Sequence, residues 1–243
     1  MQAWQERTQL LIGDEGIARL RQAHVLVAGL GGVGGAAAET LARAGVGRLT
    51  IADADTISVT NINRQLLATH RNIGQQKARV AGERLLSINP RLELEALDEF
   101  LRDDRLIEVV RMHPYSAIID AIDTLSPKIY LIKTALETGV PLVSSMGAAG
   151  KLDHSQVRTG PFWGVEGCHL ARTLRKRFRR MGVLGDFTAV YSTELADPAA
   201  VVHCEEEQNK KSRVGVISYL PNLFGVMAGA HVVQTILRGA EQP

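Results

Sequence analysis

An apolar run entering a glycine turn, two further strands ending in aspartate, and a strand–helix alternation up to about Gly147 together predict an α/β fold. The expected architecture is a Rossmann-like, doubly wound, mainly parallel sheet with antiparallel C-terminal additions. His24–Gly29 is the apolar run, and a helix over Gly32–Ala44 follows, with Ala37, Leu41 and Ala44 at helical spacing. Arg48–Asp53 reads as the next strand and ends in an acid about 20 residues past the glycines, the separation of a βαβ nucleotide unit. Gly74–Ser87 reads as a helix that Asn89 and Pro90 stop before a strand over Leu92–Leu97. Tyr115–Asp120 is a further strand, and Ser126 capping a helix with Pro127 in its first position leads through Glu137 to the strand Val140–Ser145. Beyond Gly147, shorter extended pieces at Gln156–Thr159 and Phe187–Ser192 predict antiparallel additions at one sheet edge.

The 243 residues, 45% of them hydrophobic, suffice for a full core. One domain is expected over residues 1–243, its nucleotide-binding part at about 20–150 and its substrate-binding and C-terminal part at about 151–243. A net charge of +2 predicts no polyanion partner by bulk charge, although clustered bases can still form a basic face. Cys168 and Cys204 stand far apart with no Cys-x-x-Cys, which excludes a disulfide framework and a paired-cysteine zinc knuckle and fits a reducing cytosol. Met1–Gly13 carries charges and no apolar core of a signal peptide, so a cytoplasmic protein is expected. Val214–Leu237 approaches the length of a membrane span, but Asn222, His231 and Gln234 interrupt it, and a packed C-terminal helix is expected instead.

The chemistry is concentrated between Gly29 and Thr124. Gly29, Gly31, Gly32 and Gly34 let a backbone approach phosphate at a helix N-terminus, and Asp53 at the next strand tip suits ribose hydroxyls. After Asp55, the residues Asn61, Asn63, Arg64 and Gln65 place amides and a guanidinium within five positions, and Lys77 adds a point charge. Asp120 and Asp123 follow a strand, so at least one carboxylate faces the crevice where a magnesium ion bridging phosphates needs a ligand. Asp120 alone fits a cap of local N–H groups equally well.

This ordered set, Gly29-Leu-Gly-Gly-Val-Gly34, Asp53-x-Asp55, Asn61-x-Asn63-Arg64-Gln65, Gly74-x-x-Lys77 and Asp120-x-x-Asp123, resembles the ThiF/MoeB/HesA superfamily, relatives of the ubiquitin-activating enzymes. The resemblance implies an adenylating enzyme. In it the glycine turn, Asp53, Asp55, Asn61, Gln65 and Thr124 line the ATP site, Asn63, Arg64 and Lys77 hold the phosphates, and Asp123 holds Mg2+. Arg64, Lys77, Asp123 and Arg7 are the implied catalytic residues, and Arg7 resembles the arginine that family dimers lend to the partner's site, which implies a homodimer.

Members that charge the C-terminus of a ubiquitin-like sulfur carrier usually carry two Cys-x-x-Cys pairs, which this chain lacks. Asp120–Lys128, Pro141–Gly150 and Tyr191-Ser-Thr-Glu194 resemble instead the branch that dehydrates tRNA threonylcarbamoyladenosine. That branch implies adenylation of the threonyl carboxylate in tRNA and intramolecular ring closure, with a sulfur carrier or peptide C-terminus as the alternative substrate. Ring closure inside one base gains the effective molarity of a tethered attack and needs no acyl-carrying cysteine. Arg172–Arg180 holds six basic residues in nine positions, with Leu170, Leu174, Phe178 and Met181 on one helical face. Arg172, Arg175, Lys176 and Arg179 are the expected tRNA contacts; the alternative is a solvated face of a docked helix. Lys210–Arg213 is a second basic candidate, and Trp163 and Tyr191 read by default as packing residues, with stacking on the substrate base as the alternative. A monovalent cation in the Gly-rich region and a sulfur-transfer protein partner stay open at this point.

Overall fold

The computed structural model describes residues 3–203 and 212–239. The elements are α1 (Glu6–Gln22), β1 (His24–Ala28), α2 (Gly32–Ala44), β2 (Arg48–Ala52), α3 (Lys77–Ile88), β3 (Glu93–Leu97), α4 (Asp103–Arg111), β4 (Ala117–Asp120), α5 (Leu125–Thr138), β5 (Leu142–Ser145), β6 (Val157–Pro161), α6 (His169–Arg180), β7 (Thr188–Ser192), β8 (Val201–His203), β9 (Ser212–Val214) and α7 (Tyr219–Arg238).

Seven strands form one sheet in the order β3-β2-β1-β4-β5-β7-β6, and β8 and β9 form a separate antiparallel ribbon. Every pairing in the large sheet is parallel except β6 with β7. The expected antiparallel addition at one edge is the β6–β7 pair: β7 extends the parallel sheet beside β5, and β6 turns back. Strands β1, β4 and β5 are buried along their whole length, as continuous apolar runs covered by helices on both faces must be. On one face, Val25, Val27, Ile51 and Ile119 meet Leu41 of α2, Leu85 of α3 and Phe224 of α7; on the other, Leu26, Ala28 and Ile118 meet Leu106 of α4, Ile132 of α5 and Phe178 of α6. Each large side chain so buried contributes roughly 1.5–3 kcal/mol.

The C-terminal apolar segment is long and apolar enough to cross a membrane. In the structure it is α7, and it lies against α2. A Cβ on Gly225 would stand 2.1 Å from the Val33 carbonyl oxygen, so this glycine sets how closely the two helices approach. Any larger residue there would force them apart.

Four local expectations change. The helix expected from Gly74 starts at Lys77, because Thr56 bridges Gln76 and holds the preceding residues in a loop. Thr124 rather than Ser126 occupies the N-cap of α5, as the Lys128 N–H bond to the Thr124 carbonyl shows. Pro127 then lies at the third helical position, still inside the first turn, where no N–H is required. Met181 is 39% exposed, and Ala171 replaces it on the packing face of α6 beside Leu174 and Phe178. Helices α1 and α4 were not anticipated: Gly13, at φ 70°, kinks the first, and the second is a nine-residue helix rich in charge.

Candidate nucleotide crevice and basic helix

From β1 the chain passes through α2 to β2 on one side, whereas β4 pairs with the other side of β1. Strand order reverses here, so a crevice opens at the carboxyl ends of β1 and β4. The glycine turn and the Asp120–Thr124 loop form its two lips. A Cβ on Gly34 would lie 1.7 Å from the Gly29 carbonyl oxygen, so only glycine permits this turn. Gly31 differs: its nearest neighbour in that direction is the Gln65 Nε2, 3.8 Å away, so its backbone faces room for a ligand. Gly31 caps α2 without any side-chain hydrogen bond, which leaves the helix N-terminus to bind an anion.

Asp53 fastens this turn from below. Its Oδ2 accepts the Leu30 N–H at 2.7 Å and its Oδ1 the Asp55 N–H at 2.8 Å, leaving lone pairs for ribose hydroxyls. Burial pushes its carboxyl above the ordinary aspartate value, with Lys77 and the two N–H donors opposing the shift. The Lys77 Nζ donates to Asp55 Oδ2 at 2.7 Å and stands 3.8 Å from Asp53 Oδ1.

The donor loop is largely self-bonded. Asn61 Oδ1 accepts the Ser58 N–H and Asn63 Nδ2 donates to the Val216 carbonyl, so both amides shape the loop. Arg64 Nη1 donates to the Thr60 carbonyl and to Asn63 Oδ1, and Asn222 Nδ2 ties the Arg64 carbonyl to α7. Gln65 is 6% exposed, and its Oε1 has no hydrogen-bond partner.

On the opposite lip, Asp120 is a structural group. Its Oδ1 accepts the Ile122 N–H, and its Oδ2 accepts Ser144 Oγ at 2.6 Å and Lys128 Nζ at 2.7 Å, with Asp120, Ser144 and Lys128 all fully buried. One local N–H, from Ile122, fits the cap reading, but Ser144 and Lys128 are partners that neither sequence reading included. Lys128 also donates to the Ile122 carbonyl, so the ion pair carries the loop that presents Asp123, which is exposed, and Thr124 at the α5 N-cap. Among the described residues no cluster of three His, Cys, Asp or Glu stands ready for a metal.

Arg7 is exposed on α1, which packs against α7. On α6, Arg172, Lys176 and Arg179 are exposed, whereas Arg175 is half-buried. The Arg175 Nη1 donates to the Val165 carbonyl at 2.7 Å, and its guanidinium lies over the Phe162 ring. Arg179 lies over Trp163, whose Nε1 donates to the Gly185 carbonyl. Cys168 is buried and caps α6 by accepting the Ala171 N–H. Cys204 and the basic pair Lys210 and Lys211 lie outside the described residues.

Sequence reasoning missed Lys128, Ser144, Lys151 and Glu194. Lys128 left a weak signal, one of two lysines in the otherwise largely apolar helix Leu125–Thr138; Ser144 left none.

The chain is 35% identical over 242 residues to tRNA threonylcarbamoyladenosine dehydratase of Bacillus subtilis, covering 97% of this chain and 95% of that protein. It is 33% identical over 259 residues to the Escherichia coli protein of the same name, covering 98% and 96%. The crystal structure of the E. coli dehydratase in complex with ATP matches with a TM-score of 0.88 at 33% identity, over 100% of this chain and 99% of that one. A profile of the ThiF family matches residues 5–243, and the chain belongs to that family.

Proposed function

We propose that the chain uses ATP to adenylate the threonyl carboxylate of N6-threonylcarbamoyladenosine in tRNA, and that the adenylate closes to cyclic threonylcarbamoyladenosine. The observation that carries this reading is that the likeness to the dehydratases extends past the nucleotide half through α6 and α7. A carboxylate oxygen attacks the α-phosphorus and pyrophosphate leaves. A nucleophile of the same modified base then attacks the acyl carbon and AMP departs, so the base loses one water overall.

The chain's own groups supply position and charge. The α2 N-terminus and Gly31 cradle phosphate oxygens, Asp53 orients the ribose, and Lys77 exchanges Asp55 for phosphate. Arg64 gives up two neutral oxygen partners for charged ones. Mg2+ usually keeps several waters and takes one or two carboxylates beside the substrate phosphates. Exposed Asp123 suits that donor set, and the ion would screen the triphosphate's charge.

Arg172, Lys176 and Arg179 offer the phosphate-binding face for tRNA. A second copy of the chain would cover α1, where Leu10 and Leu11 are 83% and 85% exposed beside Arg7, and would receive Arg7 in its own crevice. Light scattering should then give about twice the 26.4 kDa chain mass. A cytosolic location fits the unpaired Cys168 and the seating of α7 on α2.

Incubating the protein with threonylcarbamoyladenosine-bearing tRNA, ATP and Mg2+ and then measuring nucleoside masses should show loss of one water. An unchanged nucleoside with folded, ATP-binding protein overturns the reading. Pyrophosphate exchange that depends on a Gly-Gly-ending protein would move the activity to a protein tail.

A further inference from the structure

Two of the segments that carry the dehydratase resemblance, Pro141–Gly150 and Tyr191–Glu194, are far apart in sequence and converge in space. Ser145 is paired with Val190 where β5 and β7 run parallel, and both strands end at the same edge of the sheet as the nucleotide crevice. Beyond the strand ends the residues just past Gly150 and the Tyr191–Glu194 segment are clasped in both directions. Lys151 Nζ donates to the Ser192 carbonyl at 3.0 Å, and the Glu194 carboxylate accepts the N–H groups of Leu152 and Asp153. Asp120 of β4 joins the array through Ser144, so the clasp lies two strands from the glycine turn, with β4 and its Asp123 loop between them.

Lys151 is the unusual group in this clasp. It is 5% exposed, and among the described residues it forms no ion pair. Glu194, a carboxylate whose charge acts on it, already holds two backbone N–H groups. An ammonium has three donors, and a single carbonyl is the one partner seen here. Burial lowers its pKa, with the Cys168 thiol and Glu194 pulling weakly the other way. A buried cation compensated so thinly is poised for an anion, because an incoming negative charge repays its desolvation. Lysines that merely hold a fold together look different: Lys128 has a carboxylate at 2.7 Å.

We propose that Lys151 receives the carboxylate that is adenylated, which makes the carboxyl ends of β5 and β7 the acceptor half of the site beside the nucleotide half at β1 and β4. The ligand class is a carboxylate attached to a nucleobase, and the assignment rests on the tRNA reading above. The ammonium fixes the carboxylate before attack; the clasp to Ser192 and Glu194 fixes the ammonium.

The test compares one tRNA in two forms, with and without the threonylcarbamoyl group, bound to wild type and to Lys151→Met in the absence of ATP. Wild type should bind the carboxylate-bearing form about ten-fold or more tighter, the scale of a charge-assisted contact. Lys151→Met should bring that ratio to within about two-fold while leaving ATP affinity unchanged, and Lys151→Arg should restore part of it. A ratio that survives Lys151→Met overturns the proposal. Should the variant fail to fold, carbodiimide coupling of the substrate carboxylate to wild-type protein decides: an amide at Lys151 supports the assignment, and coupling at other lysines alone overturns it. Turnover of modified tRNA by wild type tests the function separately, so a dehydrating enzyme with an unaltered ratio fails only the Lys151 assignment.

Discussion

Two lysine–aspartate pairs flank the same crevice with nearly equal contact lengths and opposite surroundings. Lys77 meets Asp55 at 2.7 Å, with the aspartate side chain 71% exposed; Lys128 meets Asp120 at 2.7 Å, with both at 0%. An exposed carboxylate is solvated whether or not it is paired, so Lys77 can leave Asp55 for a phosphate at little cost. Asp120 has no such alternative, because water does not reach it and its remaining lone pairs are bound to Ile122 and Ser144. Ion-pair distance therefore says nothing about role here, and the solvation of the acid decides it. One pair is a docking point for substrate; the other is the foundation of the loop that presents Asp123.

The strongest way to break this contrast is Lys128→Met. It strands a buried carboxylate, and urea unfolding should show a loss of about 3–5 kcal/mol. The double variant Lys128→Met with Asp120→Asn should recover much of that loss. A Lys128→Met protein as stable as wild type would mean that Asp120 is solvated after all.

A third buried polar group provides a control away from the crevice. His24, 8% exposed at the start of β1, bonds Thr50 and contacts the rings of His113 and Tyr115. Its pKa is lowered to about 4, first by burial and then by His113 and Arg48. A base whose folded pKa is depressed stabilises the fold above its unfolded value, and that stability is lost as pH falls from about 6.5 towards 4. The loss should approach roughly 3 kcal/mol. Denaturation of wild type against His24→Phe between about pH 7 and pH 4 isolates it; parallel curves would refute the shift.

How much of this was legible in the sequence follows from locality. The glycines, Asp53 and the Asn61–Gln65 loop could be read because a strand–turn–helix unit sets their spacing within one stretch of chain. The position of Asp120 was readable, but its role was not, since that depends on Ser144 across a neighbouring strand and on Lys128 one helical turn inside α5. Lys151 was invisible for the same reason, its partner lying 41 residues away. On α6 the helical period placed Arg172 and Arg175 alike outside the apolar stripe. What separates them is the Phe162–Val165 turn, whose carbonyls occupy Arg175 alone.

Lys77→Met should invert the pattern of Lys128→Met. ATP affinity should fall about 10- to 100-fold, the scale of a charge-assisted phosphate contact. Unfolding free energy should fall by less than in Lys128→Met, since Asp55 is solvated and the buried Asp53, 3.8 Å from Lys77, keeps its two N–H donors. Calorimetric titration with ATP beside a denaturation curve gives both numbers. A large stability loss without an affinity loss would make Lys77 a second Lys128.

The same distinction applies within the basic helix, where the effects are smaller. Arg175→Ala removes the bond to Val165 and the contact with Phe162, so it should cost about 1–2 kcal/mol of stability. It should leave the salt dependence of tRNA binding unchanged. Arg172→Ala with Lys176→Ala should do the reverse, leaving stability intact and lowering the slope of log affinity against log salt by about 1.5–2 for two released phosphate contacts. That pair should weaken modified and unmodified tRNA equally, because phosphates are common to both, whereas Lys151→Met should affect the modified form alone. Equal salt slopes for wild type and the Arg172 and Lys176 double variant would remove α6 from the tRNA interface and leave it a solvated face on a docked helix.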